Sequence, residues 1–561
     1  MAIRSSRTVI RQSLSTDGSA AASALRWLTG FAFALSIVLG LLVRAPLVIP
    51  AIGVATGFLA WLAQRLDRGG RGQIARIAVF GFAIRCATAA ILFTASTLLG
   101  HGGYLMYDDR AYGELAWGVA QYLHGQPHAP YLPPLWGGDY YLLGTFVYVE
   151  IALFTLLGKQ VLVMIMLNGA ITMTALLLMW QIARELFGAT AARLQLLVAC
   201  IFPSLILFSA ANLKDPLGLL VISAVLWLVT RYERDHRLIW IALALVVLQP
   251  LHLIHYYLYY LLLGLVPIGV LLASAQRTRI RLRNVAAATA AALIIGSVSA
   301  AVAQDLPLLG GDPLVELQHV RYGLSFGRTA FVPTPTPVTA SPAAVAARTS
   351  VATTAPTTVP IQTTVPRQTA VVQPTSVPVE TVIPVSTTVP RGTGVASTTV
   401  TTQTTVPIQT TVPVEPTSAS RQLTPRANSI VRTVTYLPFG LSHALFAPFP
   451  WSARQLIDLP AIPDVILWYF VLAAAIWSLW KTRSRWLRYA FVLTYVAVLT
   501  LVSALFEGNA GTLLRHRAMT IAPAVLLLSG YGLVAAVARL RHVSMSRPAR
   551  LPSVEGAELD S

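Results

Sequence analysis

Residues 161–182 read VLVMIMLNGAITMTALLLMWQI, and ARELFG (Ala183–Gly188) follows them. The first stretch has no charged side chain and the length of about 20 residues that an α-helix needs to cross a hydrocarbon core. Within lipid every backbone N–H and C=O must find its partner inside the protein. An unbroken apolar run is therefore a helix, whereas barrel strands would alternate in pieces of about ten residues. Arg184 and Glu185 mark the return to water.

The same pattern continues in both directions. Further apolar runs lie near 28–43, 46–64, 77–99, 190–208, 215–231, 238–251, 257–274, 284–303, 462–480, 486–506 and 518–538, which predicts about twelve spans. Across 561 residues 55% are hydrophobic and only 11% charged, where a soluble domain carries about 25%; mean hydropathy is +0.66. The net charge of +19 does not signal nucleic acid. The cations sit in short clusters between apolar runs, at Arg65–Arg76, Arg184, Arg231–Arg237, Arg277–Arg283, Lys481–Arg488 and Arg539–Arg550, where they set topology by the positive-inside rule. With these clusters and the N-terminus in the cytoplasm, the alternation closes with both termini inside a plasma membrane. The basic N-terminus (Arg4, Arg7, Arg11) lacks a cleavable signal. Cys86 and Cys200 lie inside apolar runs and indicate neither a disulfide framework nor a metal site.

One apolar run breaks the alternation. Residues 142–158, LLGTFVYVEIALFTLLG, would invert every later Arg cluster if they crossed, so they are expected at the outer interface, with Glu150 in their middle. The resulting order is a cytoplasmic tail (1–27), a membrane core (28–303) with a first outer loop at 100–160, an outer loop (304–332), an insert (333–425), an outer interfacial segment (426–461), C-terminal membrane helices (462–540) and a cytoplasmic tail (541–561). The insert repeats TTVP, as in Thr357–Pro360, Thr363–Pro366, Thr387–Pro390, Thr404–Pro407 and Thr410–Pro413. It has no aromatic residue and Leu423 as its only leucine, so it is expected to be an extended, disordered spacer.

The chemistry-bearing residues fall in the outer connections. Met106–Leu123, MYDDRAYGELAWGVAQYL, has helical spacing of Tyr112, Leu115, Ala116 and Val119, which predicts a short amphipathic helix at the surface. A helix N-terminus accounts for one aspartate as a cap; Asp108 and Asp109 are two. Lys214 and Asp215 lie in a second outer turn, and Arg515 and Arg517 at the outer end of the last run, against the positive-inside pattern. Snorkelling to headgroups is the plain reading of such arginines; bidentate contact with phosphate is the functional one. His252 and His255, at i and i+3, form a weak metal pair without a carboxylate nearby in sequence, and are as well read as interfacial hydrogen-bonding groups with Tyr256 and Tyr257. Nothing indicates a cofactor; a divalent metal is compatible with the sequence but not indicated.

Asp108-Asp109-x-x-Tyr112-x-x-x-Ala116 resembles the acidic motif in the first outer loop of C-type (GT-C) membrane glycosyltransferases, the superfamily of protein O-mannosyltransferases and lipid A aminoarabinose transferases. PYLPPLW (Pro130–Trp136) with the apolar segment ending at Gly158, ARELFG, FPSLILFSAANLKD (Phe202–Asp215) and RHRAMTIAP (Arg515–Pro523) resemble further family stretches in the same order. The Thr/Pro insert and a second helix before the acidic loop have no counterpart there. The resemblance implies an all-α fold and inverting sugar transfer from a polyprenyl-phosphate donor to an envelope glycan, lipid or protein. It implies Asp108 as general base with Asp109 as second choice or partner, Arg515, Arg517 and Lys214 toward the donor phosphate, and Asp215, Tyr112 and His255 in substrate binding. The rival from a different class is a non-enzymatic carrier or flippase for lipid-linked glycan, which should show internal repeats and broken helices.

Overall fold

A computed structural model describes residues 2–67, 72–126, 144–275, 282–303, 382–387, 400–405, 430–449, 461–506 and 510–545. The chain divides into two units, 1–331 with 422–561, and 332–421.

The first unit is helical throughout its described residues. In chain order come α1 (Ala2–Leu42), α2 (Val48–Leu66), α3 (Gln73–Leu98), α4 (Tyr107–Leu123), α5 (Thr145–Leu157), α6 (Val161–Phe187), α7 (Ala189–Cys200), α8 (Pro203–Ser209), α9 (Asp215–Asp235), α10 (Leu238–Ile254), α11 (Tyr256–Ala275) and α12 (Leu282–Ala303). After the second unit come α13 (Ile430–Phe446), α14 (Ala461–Lys481), α15 (Ala490–Phe506), α16 (Ala510–His516), a π-turn at Arg517–Ile521, α17 (Ala522–Leu528) and α18 (Gly530–Met545).

Every run expected to span is helical. Among the described residues eight helices are long and apolar enough to cross, or ten with each bent pair taken as one span, against about twelve expected. The difference has two causes. The run at 190–208 is two helices, α7 and α8, bent by 57°, and the last run bends by 65° between Leu528 and Gly530. The runs at 238–251 and 486–506 are α10 and α15, apolar but only 17 residues each. At 13 residues α5 is shorter still, about 20 Å at 1.5 Å per residue, too short to cross.

Burial, not hydropathy, sorts the helices into centre and rim. In α6 and α9, 78% and 72% of the spanning window is buried, against 17% in α1 and α12. The rim helices turn side chains such as Trp27, Phe31, Val54 and Leu293 outward, as lipid-facing surfaces require.

The break between α7 and α8 explains a buried charge. Pro203 has no N–H, so the helix cannot continue through it. The carbonyls freed at the end of α7 are taken by Arg85, deep in α3, which donates to Cys200 O at 3.2 Å, Ala199 O at 3.3 Å and Gly81 O at 2.9 Å. The amide freed at the start of α8, Ser204 N, donates to Asp464 Oδ1 at 2.8 Å. A cation thus meets the negative end of one half-helix and an anion the positive end of the other.

In the second unit the described residues are two strands, β1 (Val382–Thr387) and β2 (Val400–Thr405), paired antiparallel with Val382 opposite Thr405. The rest of the insert at 333–425 lies outside the described residues.

Candidate active site

Three chain segments, joined by His255 between α10 and α11, converge at one end of the bundle. The first is the start of α4. Asp109 stands at its third helical position, and its carboxylate reaches back to accept Leu105 N at 2.7 Å and Met106 N at 2.9 Å, the reciprocal half of a capping box. Asp109 is 1% exposed, whereas 45% of the Asp108 side chain is exposed. Burial pushes the Asp109 carboxyl up to about 6, against the pull of those backbone N–H groups.

The second segment is the turn from α8 to α9. It is pinned from the bundle interior by Asn168, whose Nδ2 donates to Ala211 O and Leu213 O, both at 3.0 Å. Pro216 in the first turn sets the start of α9 and Asp215 sits at its positive end.

The third segment brings Arg515. Its Nη2 and Nε donate to Asp215 Oδ2 at 2.6 and 2.9 Å, and its Nη1 to Asp108 Oδ2 at 2.8 Å. One guanidinium joins two carboxylates that are 107 residues apart, one buried and one half-exposed. Asp215 Oδ1 faces His255 Nε2 at 3.6 Å, and the His255 ring packs against Tyr257 and His516 at 5.7 and 5.8 Å. Burial pushes His255 down to about 4, with Asp215 pulling the other way, so the imidazole is neutral at pH 7. Lys214 Nζ lies 5.9 Å from the Tyr112 ring; burial lowers its pKa and Asp215 raises it. The Tyr112 hydroxyl faces Arg515, and burial raises its pKa.

Asp108, Tyr112, Lys214, Asp215, His255 and Arg515 are thus together. Asp109 is beside them but turned to backbone. Arg517 is not among them: its Nη1 donates to the carbonyls of Ala447 and Leu445, and its guanidinium lies 5.0 Å from the Trp468 ring. It holds the end of α13. The two histidines separate, since His252 Nε2 meets Tyr260 Oη at 3.3 Å. Glu114 pairs with Lys159 at 2.9 Å. PYLPPLW (Pro130–Trp136) lies outside the described residues. Among the described residues no three His, Cys, Asp or Glu form a group that could hold a metal ion.

Sequence reasoning gave no role to Asn212 or His516 and read Glu150 only as interfacial. Glu150 is fully buried and accepts Asn212 Nδ2 at 2.7 Å; nothing in a single apolar run distinguishes a carboxyl facing protein from one facing water.

The opposite end of the bundle is ionic in another way. Arg231 meets Glu185 at 3.3 Å and Arg184 meets Asp67 at 3.5 Å. Asp215 and Asp235 open and close α9, so the two ends are about 30 Å apart. The site end can hold an anion on Arg515 and Lys214 and accept a proton at Asp108, where among the described residues Oδ2 is bonded to Arg515.

Comparison with protein-family models, with curated proteins and with solved structures finds no match. By its own sequence and structure the chain is a multi-pass α-helical membrane protein with a polar cluster at the end of the bundle opposite its Arg-rich connections.

Proposed function

We propose that the chain is an integral membrane glycosyltransferase. It moves a sugar from a polyprenyl-phosphate donor to a hydroxyl of an envelope glycan, lipid or protein on the extracytoplasmic face. The observation that carries this reading is the Arg515 fork between buried Asp215 and half-exposed Asp108. The GT-C resemblance supports it, and the positive-inside rule puts the Arg-rich end in the cytoplasm and this cluster outside. No nucleotide sugar reaches that face, so the donor is lipid-linked.

In this reading Asp108 is the general base. The acceptor oxygen attacks the anomeric carbon and gives its proton to Asp108, while the carbon–oxygen bond to phosphate breaks and polyprenyl phosphate leaves with the bonding pair. Asp215 orients Arg515, and Arg515 and Lys214 neutralise the leaving phosphate. Asp109 shapes the helix start. Arg517, expected at the phosphate, acts as a scaffold for α13 instead.

The two bent helices favour a second reading, a carrier for lipid-linked glycan, because transport sites are built at such breaks. At the α7–α8 break, however, both half-helix ends already hold the protein's own Arg85 and Asp464.

The test is turnover of labelled polyprenyl-phosphate hexoses and pentoses by purified protein in nanodiscs, with envelope extract as acceptor. Wild type should turn over and a folded Asp108→Asn variant should lose at least about 100-fold. Turnover that survives the substitution moves the base elsewhere. Movement of lipid-linked glycan across proteoliposomes without turnover replaces the enzyme with the carrier.

A further inference from the structure

We propose that Glu150 and Asn212 are positioning residues that set the place of Asp108 relative to Lys214 and Asp215; this rests on Asp108 being the base. Asn212 is buried in the α8–α9 turn, two residues before Lys214 and three before Asp215. Its Nδ2 donates both to Glu150 Oε1 at 2.7 Å and to the backbone carbonyl of Asp109 at 3.2 Å. Both partners are acceptors, which fixes which end of the amide faces them. A single side chain therefore ties the segment carrying Asp215 to the segment carrying Asp108, and fixes the gap that Arg515 spans.

Glu150 holds the third corner from its own anchors. Gly144 starts α5 against the backbone of Leu253, where any Cβ would overlap the carbonyl. Thr145 Oγ1 donates to Pro250 O at 3.1 Å, and Lys159 just past α5 grips Glu114 of α4. Asn168 fixes the Asn212 turn from below.

The pairing is not explained by packing. Among the described residues Glu150 Oε2 and Asn212 Oδ1 are both buried without a hydrogen-bond partner, a costly state that an apolar pair of the same shape would avoid. A neutral Glu150 carries one O–H besides the Oε1 that accepts from Asn212. Glutamine, with an N–H in that place and the same carbonyl acceptor, should substitute for it; leucine should not.

The experiment is hydrogen–deuterium exchange of the 103–110 segment in nanodiscs, beside donor turnover. That segment contains the Leu105 and Met106 amides held by Asp109. Glu150→Leu and Asn212→Leu should each raise exchange at least about fivefold, with the double variant no higher than either. Glu150→Gln should match wild type. In turnover the two Leu variants should lose kcat with KM for the donor within about twofold. Should Glu150→Leu not fold, Asn212→Ala gives the same reading. Wild-type exchange in the Leu or Ala variants overturns the proposal, as does Glu150→Gln behaving like Glu150→Leu. A wild-type protein without turnover refutes the transferase reading alone, and the exchange pattern still decides this one.

Discussion

Replacing Arg515 with methionine should destabilise the protein by about 3–5 kcal/mol, and the structure says where that cost arises. The side chain makes three hydrogen bonds, two to Asp215 and one to Asp108. Asp108 is 45% exposed, so water replaces its lost partner and that arm contributes at most about 1 kcal/mol. Asp215 is 2% exposed; without Arg515 it is left as a buried carboxylate with His255 at 3.6 Å but no bidentate partner. Most of the loss is therefore the stranded charge. Adding Asp215→Leu to Arg515→Met should recover much of it, giving a coupling of about 2–4 kcal/mol, while the same cycle with Asp108→Asn should give less than about 1 kcal/mol. The assay is detergent-driven unfolding in mixed micelles followed by tryptophan fluorescence. Additive effects for Arg515 and Asp215, or a larger coupling to Asp108 than to Asp215, would refute the assignment of the fork's strength to its buried arm.

Other outcomes follow from the same geometry. Arg517→Lys removes the planar contact with Trp468 and the fit to the Ala447 and Leu445 carbonyls, so unfolding stability should drop by about 1–3 kcal/mol with donor KM unchanged. Burial raises the Glu150 carboxyl from 4.5 to about 8. Its folded value lies above its unfolded one, so its share of stability is full below pH 4.5 and is lost as pH rises through about 8. Thermal unfolding between pH 5 and 9 should show that fall, and Glu150→Gln should flatten it. Deleting 332–421, a unit with its own internal contacts, should leave the unfolding midpoint of the remaining protein unchanged in the same detergent assay.

The membrane fold was legible because it depends on a local property, the apolar run, and hydropathy placed every helix it named. What it could not see was curvature. Pro203 marks the α7–α8 break, but the bend at Ser529 has no proline at the joint. Spacing brought out Asp108 with Tyr112 because both lie on one short helix. The meeting of Asp108, Asp215 and Arg515 links residues up to 407 positions apart, which no window reads; their common outer-end placement was the only signal. Asp109 and Arg517 show the limit in reverse. Each has the right type and neighbourhood for chemistry, and each spends its polar atoms on backbone, a distinction set by one or two steps along the helix.

The long reach of the Arg515 fork bears on how the protein is made. A ribosome adds about 5–20 residues per second, so roughly 20–80 s pass between synthesis of Asp108 and of Arg515. Asp215 also waits, for some 300 residues, as does Ser204 N for Asp464 over 260. During that interval the early helices carry carboxylates and an open helix end with no partner, and must stay near water or the insertion machinery. Assembly of the bundle is therefore completed from the C-terminus, and a chain truncated before Arg515 should be recognised and degraded as unfinished.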